Sequence, residues 1–397
     1  MDARYLLLLP VFLAGCVLSK ATPAPPGAAP TRAEGLEELD RVVPDLLREY
    51  NVAGAGVAVV RDGAVVWTGY YGEQGPGVPA SARTVFNTAS VAKTVTAETL
   101  LALAAKGLVS LDEPVADYVT DPDLAGDPRY GLLTPRLLLS HRSGLLNWPG
   151  DYDDGRLAFV RDPGTAFGYS GAGIELAARY AENRLGRDFE ALAVEHVLGP
   201  LGVGEMSMGR MRPWLDGRLA VPMDAEGRYH SARELGSVRA DSAGVMSGGW
   251  NGADDLFTTV DAYARLLVGV IGSEWLTPEQ RADRSAILTS LTDDPTWKCE
   301  PTPEVRCAEA YGHGLGWMVY DYGDHAVLKH GGNDAGENAL VYYSPERRSG
   351  AVIFVNGGNG IFVTVGVLDL IGDEPEVAAY YRQLVERHYG VSLPHRP

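Results

Sequence analysis

Ser90 and Lys93 are the residues of this sequence whose types and spacing are best suited to chemistry. They lie at the start of the stretch 89–106, which contains no proline or glycine and has apolar residues on nearly every side. This pattern predicts a buried helix, with Asn87 or Thr88 as its cap. Positions three apart on a helix share a face, so the pattern places a hydroxyl beside an amine at a helix N-terminus.

A serine and a lysine in this arrangement can carry out nucleophilic catalysis. The hydroxyl is a weak nucleophile until a base removes its proton, and a lysine is such a base only where burial and positive potential lower its pKa. A helix N-terminus supplies positive potential. Only five of the 34 basic residues are lysines, and arginine does not deprotonate. The spacing alone is weak evidence, because any alanine-rich helix can carry the pair as solvated residues.

The composition limits the partners and cofactors of the chain. Its 397 residues are 46% apolar, which suffices for one large core or two modest ones. The formal net charge of −18 is not offset by a basic cluster, and this excludes nucleic acid and a general anionic membrane surface as partners. None of the eight histidines shows zinc-protease spacing, and we predict neither a metal nor another cofactor.

Residues 1–15 are typical of an export signal. Arg4 precedes an apolar run that is too short to span a bilayer. The run ends in Leu-Ala-Gly-Cys at Cys16, which resembles the lipobox of bacterial lipoproteins. We therefore expect cleavage before Cys16, lipidation of this cysteine and a proline-rich tether over residues 16–32, which together anchor an exported domain to the cell envelope. The alternative is an ordinary signal peptide with a chance cysteine.

Export makes Cys299 and Cys307 candidates for a disulfide. They flank a polar loop with two prolines, in a compartment that permits oxidation. A metal site is the lesser interpretation, because no histidine or acidic cluster lies nearby at zinc spacing. We predict a local disulfide that staples this loop.

The remaining pattern predicts an α+β fold, with terminal helices flanking an antiparallel sheet built from both ends of the chain. A helix over 34–50 precedes two strands joined by a hairpin at Asp62-Gly63. Further strands are predicted over 314–322, 325–330, 338–344 and 349–356, and a last helix over 376–388. We divide the domain 33–397 into an α/β part, residues 33–110 and 255–397, and a mainly helical part, residues 111–254.

Three motifs give the sequence a family resemblance: Ser90-Val91-Ala92-Lys93, Tyr169-Ser170-Gly171 and His330-Gly331-Gly332. Their order and approximate spacing resemble the site motifs of the penicillin-recognising serine hydrolases. The sequence is most similar to the branch with class C β-lactamases, D-Ala-D-Ala carboxypeptidases, D-aminopeptidases and family VIII esterases. The resemblance covers about residues 35–360 and implies a β-lactamase/transpeptidase-like fold.

The resemblance also implies a role for each motif residue. Ser90 attacks the substrate carbonyl, while Lys93 and Tyr169 share the general base and acid work. His330 faces the cleft from an edge strand, where a donor or cation can bind a substrate carboxylate or polarise the site. The backbone N–H groups of Ser90 and Asn333 form the oxyanion hole.

Two positions depart from the family pattern. Gly171 stands where the second motif usually ends in an asparagine that helps to hold the substrate's amide, and Gly331 stands where the third motif usually has a hydroxyl. Lys329-His330-Gly331 is an alternative register of the third motif. Strand alternation allows only one of Lys329 and His330 to face the cleft. We prefer His330, because Gly332 then matches a glycine of the family's substrate-binding strand.

We therefore expect a serine hydrolase that forms an acyl-enzyme through Ser90 and acts outside the cytoplasm. The glycine at position 171 favours an ester or D-amino-acid peptide over a β-lactam, so the expected substrate is a small molecule or peptide, with cell-wall fragments as one source. A true class C-like β-lactamase is the alternative within this class. A catalytically silent, lipid-tethered binding protein is the alternative from another class, and the intact motif residues argue against it. The oligomeric state is left open.

Overall fold

The computed structural model describes residues 35–209, 212–230, 250–273 and 275–395, which belong to the unit Thr31–Pro397. The predicted signal peptide, Cys16 and the tether lie outside the described residues. Within the described ranges, no helix combines the length and apolar character that a membrane span requires.

An antiparallel sheet dominates the fold. The strands are β1 (Gly54–Arg61), β2 (Ala64–Gly75), β3 (Val78–Pro79), β4 (Phe86–Asn87), β5 (Met206–Ser207), β6 (Phe257–Thr258), β7 (Thr289–Ser290), β8 (Ala310–His313), β9 (Met318–Asp321), β10 (Ala326–Asp334), β11 (Glu337–Ser344) and β12 (Ser349–Val355). Nine strands of the described residues form the large sheet, in the order β3-β2-β1-β12-β11-β10-β9-β8-β7. Strands β1 and β12 pair with each other, so both ends of the chain build one sheet, as predicted. Strands β4, β6 and β5 form a small second sheet.

Helices cover both faces of the large sheet. They are α1 (Glu37–Glu49), α2 (Ala92–Ala105), α3 (Pro135–Leu139), α4 (Gly171–Leu185), α5 (Phe189–Ala193), α6 (Val260–Gly272), α7 (Pro278–Ser285), α8 (Gly360–Ile371) and α9 (Pro375–Tyr389). Helices α1, α8 and α9 pack together on one face, whereas α2 and α6 lie on the other. This arrangement confirms the predicted α+β class.

The sheet separates two apolar cores. Along β1, the side chains of Val57 and Val59 enter the core with α1, α8 and α9, whereas Ala58 and Val60 enter the core with α2. A strand that is buried on both faces has a continuous apolar sequence instead of an alternating one. The run Gly54–Arg61 has this character, and every residue in it except Arg61 is buried.

Helix α2 is buried along most of its length, as its sequence predicts. All residues from Ala92 to Leu103 are buried, among them Glu98 and Lys93. The Glu98 carboxylate accepts hydrogen bonds from Arg284 at 3.1 Å and from the Trp317 indole at 3.0 Å, so its charge is compensated inside the core.

Two local predictions are confirmed and one is wrong. The hairpin turn at Asp62-Gly63 joins β1 to β2 with positive φ at both residues, and the disulfide Cys299–Cys307 is present with a Cα–Cα distance of 5.7 Å. The predicted strand over 314–322 begins only at Met318. Gly316 lies in a turn against α2, where its φ is +76° and a Cβ would come within 2.2 Å of the Ala97 Cβ, so this segment cannot continue as a strand.

Candidate active site

Ser90 lies in a tight turn immediately before α2. The 3₁₀ turn Ala89–Val91 begins with Ala89 at φ +45°, a conformation that is costly for a residue with a Cβ. The Asn87 side chain holds this turn, because its Oδ1 accepts from the Ala89 N–H at 3.1 Å and its Nδ2 donates to Glu337 at 2.7 Å. Thr88 is the cap by position but forms no side-chain cap hydrogen bond. The strained turn thus presents the half-buried Ser90 hydroxyl at the helix start.

The structure places the Lys93 amine against the Ser90 hydroxyl. The Nζ atom lies 2.8 Å from Ser90 Oγ and 2.6 Å from the carbonyl oxygen of Ala253. The Lys93 side chain is completely buried. In both contacts the amine donates, so it is held against the hydroxyl oxygen, and a neutral amine in this position can take the hydroxyl proton.

Asp254 is a third ionisable residue at the nucleophile, and sequence reasoning missed it. Ser90 Oγ donates to its carboxylate at 3.3 Å. Burial raises the pKa of Asp254 to about 6; Lys93 lowers this pKa, and the nearby Asp334 raises it. The Asn251 side chain orients the turn, because its Oδ1 accepts from the backbone N–H groups of Ala253 at 2.8 Å and Asp254 at 2.9 Å. No motif in the sequence marks this turn, which reaches Ser90 only through the fold.

Tyr169 presents its ring to the amine. Lys93 Nζ lies 4.8 Å from the centroid of this half-buried ring, a cation–π distance. The ring is fixed from behind by His141, whose centroid is 4.4 Å away. His141 in turn accepts the Ser170 N–H on Nδ1 at 3.1 Å, immediately before α4 begins.

His330 lies near the tyrosine as a neutral imidazole. Its ring centroid is 6.4 Å from that of Tyr169, and its Nδ1 lies 2.7 Å from the carbonyl oxygen of Gly331. Burial and the charge of Lys93 hold the pKa of His330 well below its usual value. Burial likewise lowers the pKa of His141, and it lowers that of His313 to about 3. At neutral pH, His330 can therefore donate or accept a hydrogen bond, but it does not supply a cation.

The prediction that His330 lies on an edge strand is wrong for β10 as a whole, because β10 lies between β11 and β9. However, β9 pairs with β10 only from Ala326 to Lys329, and the second half of β10 pairs with β11 alone. The strand passes very close to the nucleophile here. A Cβ on Gly332 would lie 2.0 Å from the Thr88 carbonyl oxygen and 3.3 Å from the Ser90 nitrogen. Only glycine allows this approach.

A cavity of about 540 Å³ opens beside these groups. Ser90, Tyr169, His330, Gly332 and Asn333 contribute to its wall. The structure thus brings together all the residues that the sequence assigned to catalysis, and it places the strand segment with Gly332 and Asn333 on the same cavity.

The family model for beta-lactamases matches residues 39–371, which is most of the chain. The chain belongs to the beta-lactamase family. It is a serine hydrolase of that family, and the resemblance seen in its motifs is confirmed.

Individual relatives agree with this assignment. A beta-lactamase-like protein of Homo sapiens is 26% identical over 356 residues, which cover 83% of this chain and 66% of the human protein. Esterase EstB of Burkholderia gladioli is 28% identical over 347 residues, covering 71% of this chain and 86% of the esterase. The structure of an octameric penicillin-binding protein homologue from Pyrococcus abyssi has a TM-score of 0.67 at 20% identity, covering 89% of this chain and 81% of that one. The beta-lactamase-like fold is therefore confirmed.

The Trp148 ring packs against Gly171, the position at which the second motif usually has its asparagine. A Cβ on Gly171 would lie 2.4 to 2.8 Å from three atoms of the Trp148 ring. The Gly171 N–H donates to Asn147 Oδ1 at 2.7 Å, and Asn147 lines the cavity. Sequence reasoning found the missing asparagine but missed Trp148, because the two positions meet only in the folded protein.

One cluster away from the cavity has the composition of a metal site. His325, Glu374 and Glu376 bring ligand atoms within 4.8 Å of one another. However, Arg347 already contacts Glu374 at 2.6 Å and Glu376 at 4.0 Å. An arginine in this position compensates the carboxylates, so the cluster is an ion-pair network of the fold.

Proposed function

We propose that this member of the beta-lactamase family hydrolyses carboxylic esters in preference to β-lactams and peptides. The observation that carries the proposal is the Trp148 ring against Gly171, which fills the space of an amide-holding asparagine. An ester substrate has no amide N–H to be held, so it loses less than an amide does when this side chain is absent.

The charge around Ser90 supports the same preference. The Asp254 carboxylate lies 3.3 Å from Ser90 Oγ, and the charge of Asp334 raises the pKa of Asp254 while Lys93 lowers it. A substrate with a carboxylate beside its scissile bond, as in a penicillin or a C-terminal peptide, would bring a third negative charge to this place. A neutral ester carries no such penalty.

The geometry supports acyl transfer in two steps. In the first, Ser90 Oγ forms a bond to the ester carbonyl while Lys93 takes the hydroxyl proton and passes it to the departing alkoxide. In the second, water attacks the acyl carbon, Lys93 takes a proton from that water, and the bond to Oγ breaks as the proton returns to Ser90. The short contact between Lys93 and Ser90 supplies the path for both proton transfers.

The test is the ratio of kcat/KM for p-nitrophenyl butyrate to kcat/KM for a chromogenic cephalosporin. We expect a ratio well above one, and we expect Ser90→Ala to lower ester turnover by at least about 10³-fold with the thermal unfolding midpoint nearly unchanged. Ser81→Ala, which removes an exposed hydroxyl outside the cavity, is the matched control. A ratio below one, or ester turnover that survives Ser90→Ala, would overturn the proposal.

We also infer that the hydrolase acts outside the cytoplasm, on a lipid anchor at Cys16. The Leu-Ala-Gly-Cys run supports this location, and so does the disulfide Cys299–Cys307, since disulfides persist in oxidising compartments. Small esters that reach the cell envelope are then the substrates within reach of the enzyme.

A further inference from the structure

We propose that the cavity continues past strand β10 into an inner arm that binds a carboxylate on Lys329, so that the preferred substrate is an ester whose acyl chain ends in a carboxylate. This inference rests on the ester hydrolysis proposed at Ser90. The carboxylate would be the part of the substrate that lies farthest from the scissile bond.

The inner arm begins at the point on β10 where pairing with β9 ends. Strand β9 pairs with β10 only as far as Lys329, so the edge of β10 that faces β9 has no strand partner after this residue. Gly331 lies on this edge, where a Cβ would have only the Ala339 carbonyl oxygen nearby, at 3.7 Å. The cavity beside Ser90 is also lined by Lys329, Trp297 and Leu384, which lie on the other face of the sheet.

Lys329 is a buried amine in this arm, and its partner is a neutral hydroxyl. The side chain is 4% exposed, and its Nζ donates to Tyr381 Oη at 2.9 Å. The Nζ also lies 4.2 Å from the ring centroid of Tyr381 and 5.0 Å from that of Tyr320. None of the carboxylates in the described part of the chain pairs with it.

This environment favours an anion as the occupant. Burial lowers the pKa of Lys329 to about 7, so the amine gains a proton readily when a negative charge arrives. Aromatic rings stabilise an ammonium only in part, and an uncompensated buried charge is costly. A bound carboxylate would supply the missing partner.

The rest of the arm indicates what connects this carboxylate to the scissile bond. Leu291, Leu340 and Leu384 line it with apolar surface, which suits a chain of methylene groups. Leu340 and Tyr381 form a buried part of its wall, and Leu384 is half-buried. The acyl group stays attached to Ser90 until water has attacked it, whereas the alcohol leaves after the first step. The acyl group is therefore the part of the substrate that can stay in this arm through both steps.

The test uses p-nitrophenyl hemiesters of linear dicarboxylic acids from succinate to suberate, each compared with its methyl-capped neutral analogue. We expect at least one chain length to show kcat/KM more than about 10-fold above that of its neutral analogue. Lys329→Met should lower this ratio at least 10-fold. Lys298→Met removes an exposed lysine beside Trp297 and should leave the ratio unchanged. A wild-type ratio near one at every length, or a ratio that Lys329→Met does not change, would overturn the inference. Lys329→Gln replaces Lys329→Met in this comparison if the methionine variant does not fold.

A binding measurement separates this inference from the proposed function. The Ser90→Ala protein is titrated calorimetrically with the monomethyl esters of glutarate, adipate and suberate, which carry one carboxylate each, with and without Lys329→Met. If binding requires Lys329 and the wild-type protein shows no Ser90-dependent ester turnover, the carboxylate site is retained and the proposed ester hydrolysis is overturned. Ser90-dependent ester turnover without Lys329-dependent binding of any of the three would overturn the carboxylate site alone.

Discussion

The Trp148 ring occupies the space that any side chain at position 171 would need. We predict that Gly171→Ala lowers the free energy of unfolding by about 1–3 kcal/mol, the usual cost of overpacking a filled site. The new Cβ would lie 2.4 Å from Trp148 Cζ2, so the ring or the start of α4 must move. Urea denaturation measures the loss.

Two further variants make this prediction specific. Gly272→Ala at the end of α6 is the matched control, because nothing lies within 4 Å of its added Cβ. It should leave the stability unchanged or raise it slightly. Trp148→Ala combined with Gly171→Ala should lose less than the sum of the two single losses, because removing the ring makes room for the new methyl group. Additive losses would show that the ring and position 171 do not compete.

The buried histidines make stability depend on pH, and His313 allows a clean test. Its folded pKa is about 3, and a histidine in the unfolded chain has a pKa near 6.5. As the pH falls from 7 to 5, the unfolded chain binds the proton and the folded protein does not, so the free energy of unfolding falls. For one such histidine the loss at pH 5 is about 2 kcal/mol.

We therefore predict that His313→Phe reduces the stability lost between pH 7 and pH 5 by about 2 kcal/mol relative to wild type. A phenyl ring keeps the stacking on Phe167 but cannot take a proton. Burial of the phenyl ring changes the free energy of unfolding equally at both pH values. The difference between urea denaturation at pH 7 and at pH 5 therefore measures only the contribution of proton binding. His388→Asn, at an exposed histidine, is the control. Equal losses in wild type and His313→Phe would contradict the folded-state pKa.

Local spacing could place only residues that are close in the chain, and Tyr169 and His330 were assigned to the site through the family resemblance. Ser90 lies in the turn that leads into α2 and Lys93 lies in the first turn of that helix, so local spacing alone brought them together. Asp254 reaches Ser90 from a turn more than 160 residues away in the chain, and its carboxylate is fixed by Asn251 and not by any local pattern. Trp148 lies in a loop and contacts Gly171, the first residue of α4, only in the folded protein. Contacts of this kind depend on the whole fold, so no regular spacing in the sequence indicates them.

Helix α8 shows the same limit for a whole element. Its sequence from Gly360 to Ile371 is rich in β-branched residues, which favour a strand, and contains Gly366, which is unfavourable inside a helix. The structure forms a helix because Gly366 allows α1 to approach closely. A Cβ there would lie 2.6 Å from the Leu46 side chain. Tertiary packing thus overrides the local preference.

Strand β10 offers a matched pair of neighbouring glycines for a test of how it supports catalysis. Gly332 lies against the Ser90 turn, whereas Gly331 faces open space. We predict that Gly332→Ala lowers kcat/KM for the ester at least about 100-fold, because the strand must move away from Ser90 and displacements of about 1 Å disrupt oxyanion-hole geometry.

Thermal unfolding of both alanine variants provides the control. Gly331→Ala should keep the wild-type unfolding midpoint, since its methyl group meets only the Ala339 carbonyl oxygen at 3.7 Å, and Gly332→Ala should lower it. If Gly332→Ala retained full activity, the close approach of β10 would have no part in the oxyanion hole that the family resemblance implies.

The overall charge of the molecule is relevant to the lipid anchor proposed at Cys16. A net charge of −18 repels an anionic lipid surface, so the folded domain gains no general electrostatic attachment. One lipid chain alone binds only reversibly, and stable anchoring needs more than one acyl chain or a second attachment. A cysteine that carried two or more acyl chains would meet that requirement, and the proposed proline-rich tether would separate the acidic domain from the surface.

We therefore predict that Cys16 decides whether the protein partitions with lipid. Expressed in a bacterium that processes lipoproteins, the wild-type protein should enter the detergent phase of a Triton X-114 extraction, and mass spectrometry of its N-terminal peptide should show an acylated cysteine. Cys16→Ser should shift the protein to the aqueous phase, because the cysteine thiol is the attachment point, while Ser19→Ala should partition as wild type does. If wild type and Cys16→Ser partition alike, the Leu-Ala-Gly-Cys run is no lipidation site, and the hydrolase is held outside the cytoplasm, if at all, without this anchor.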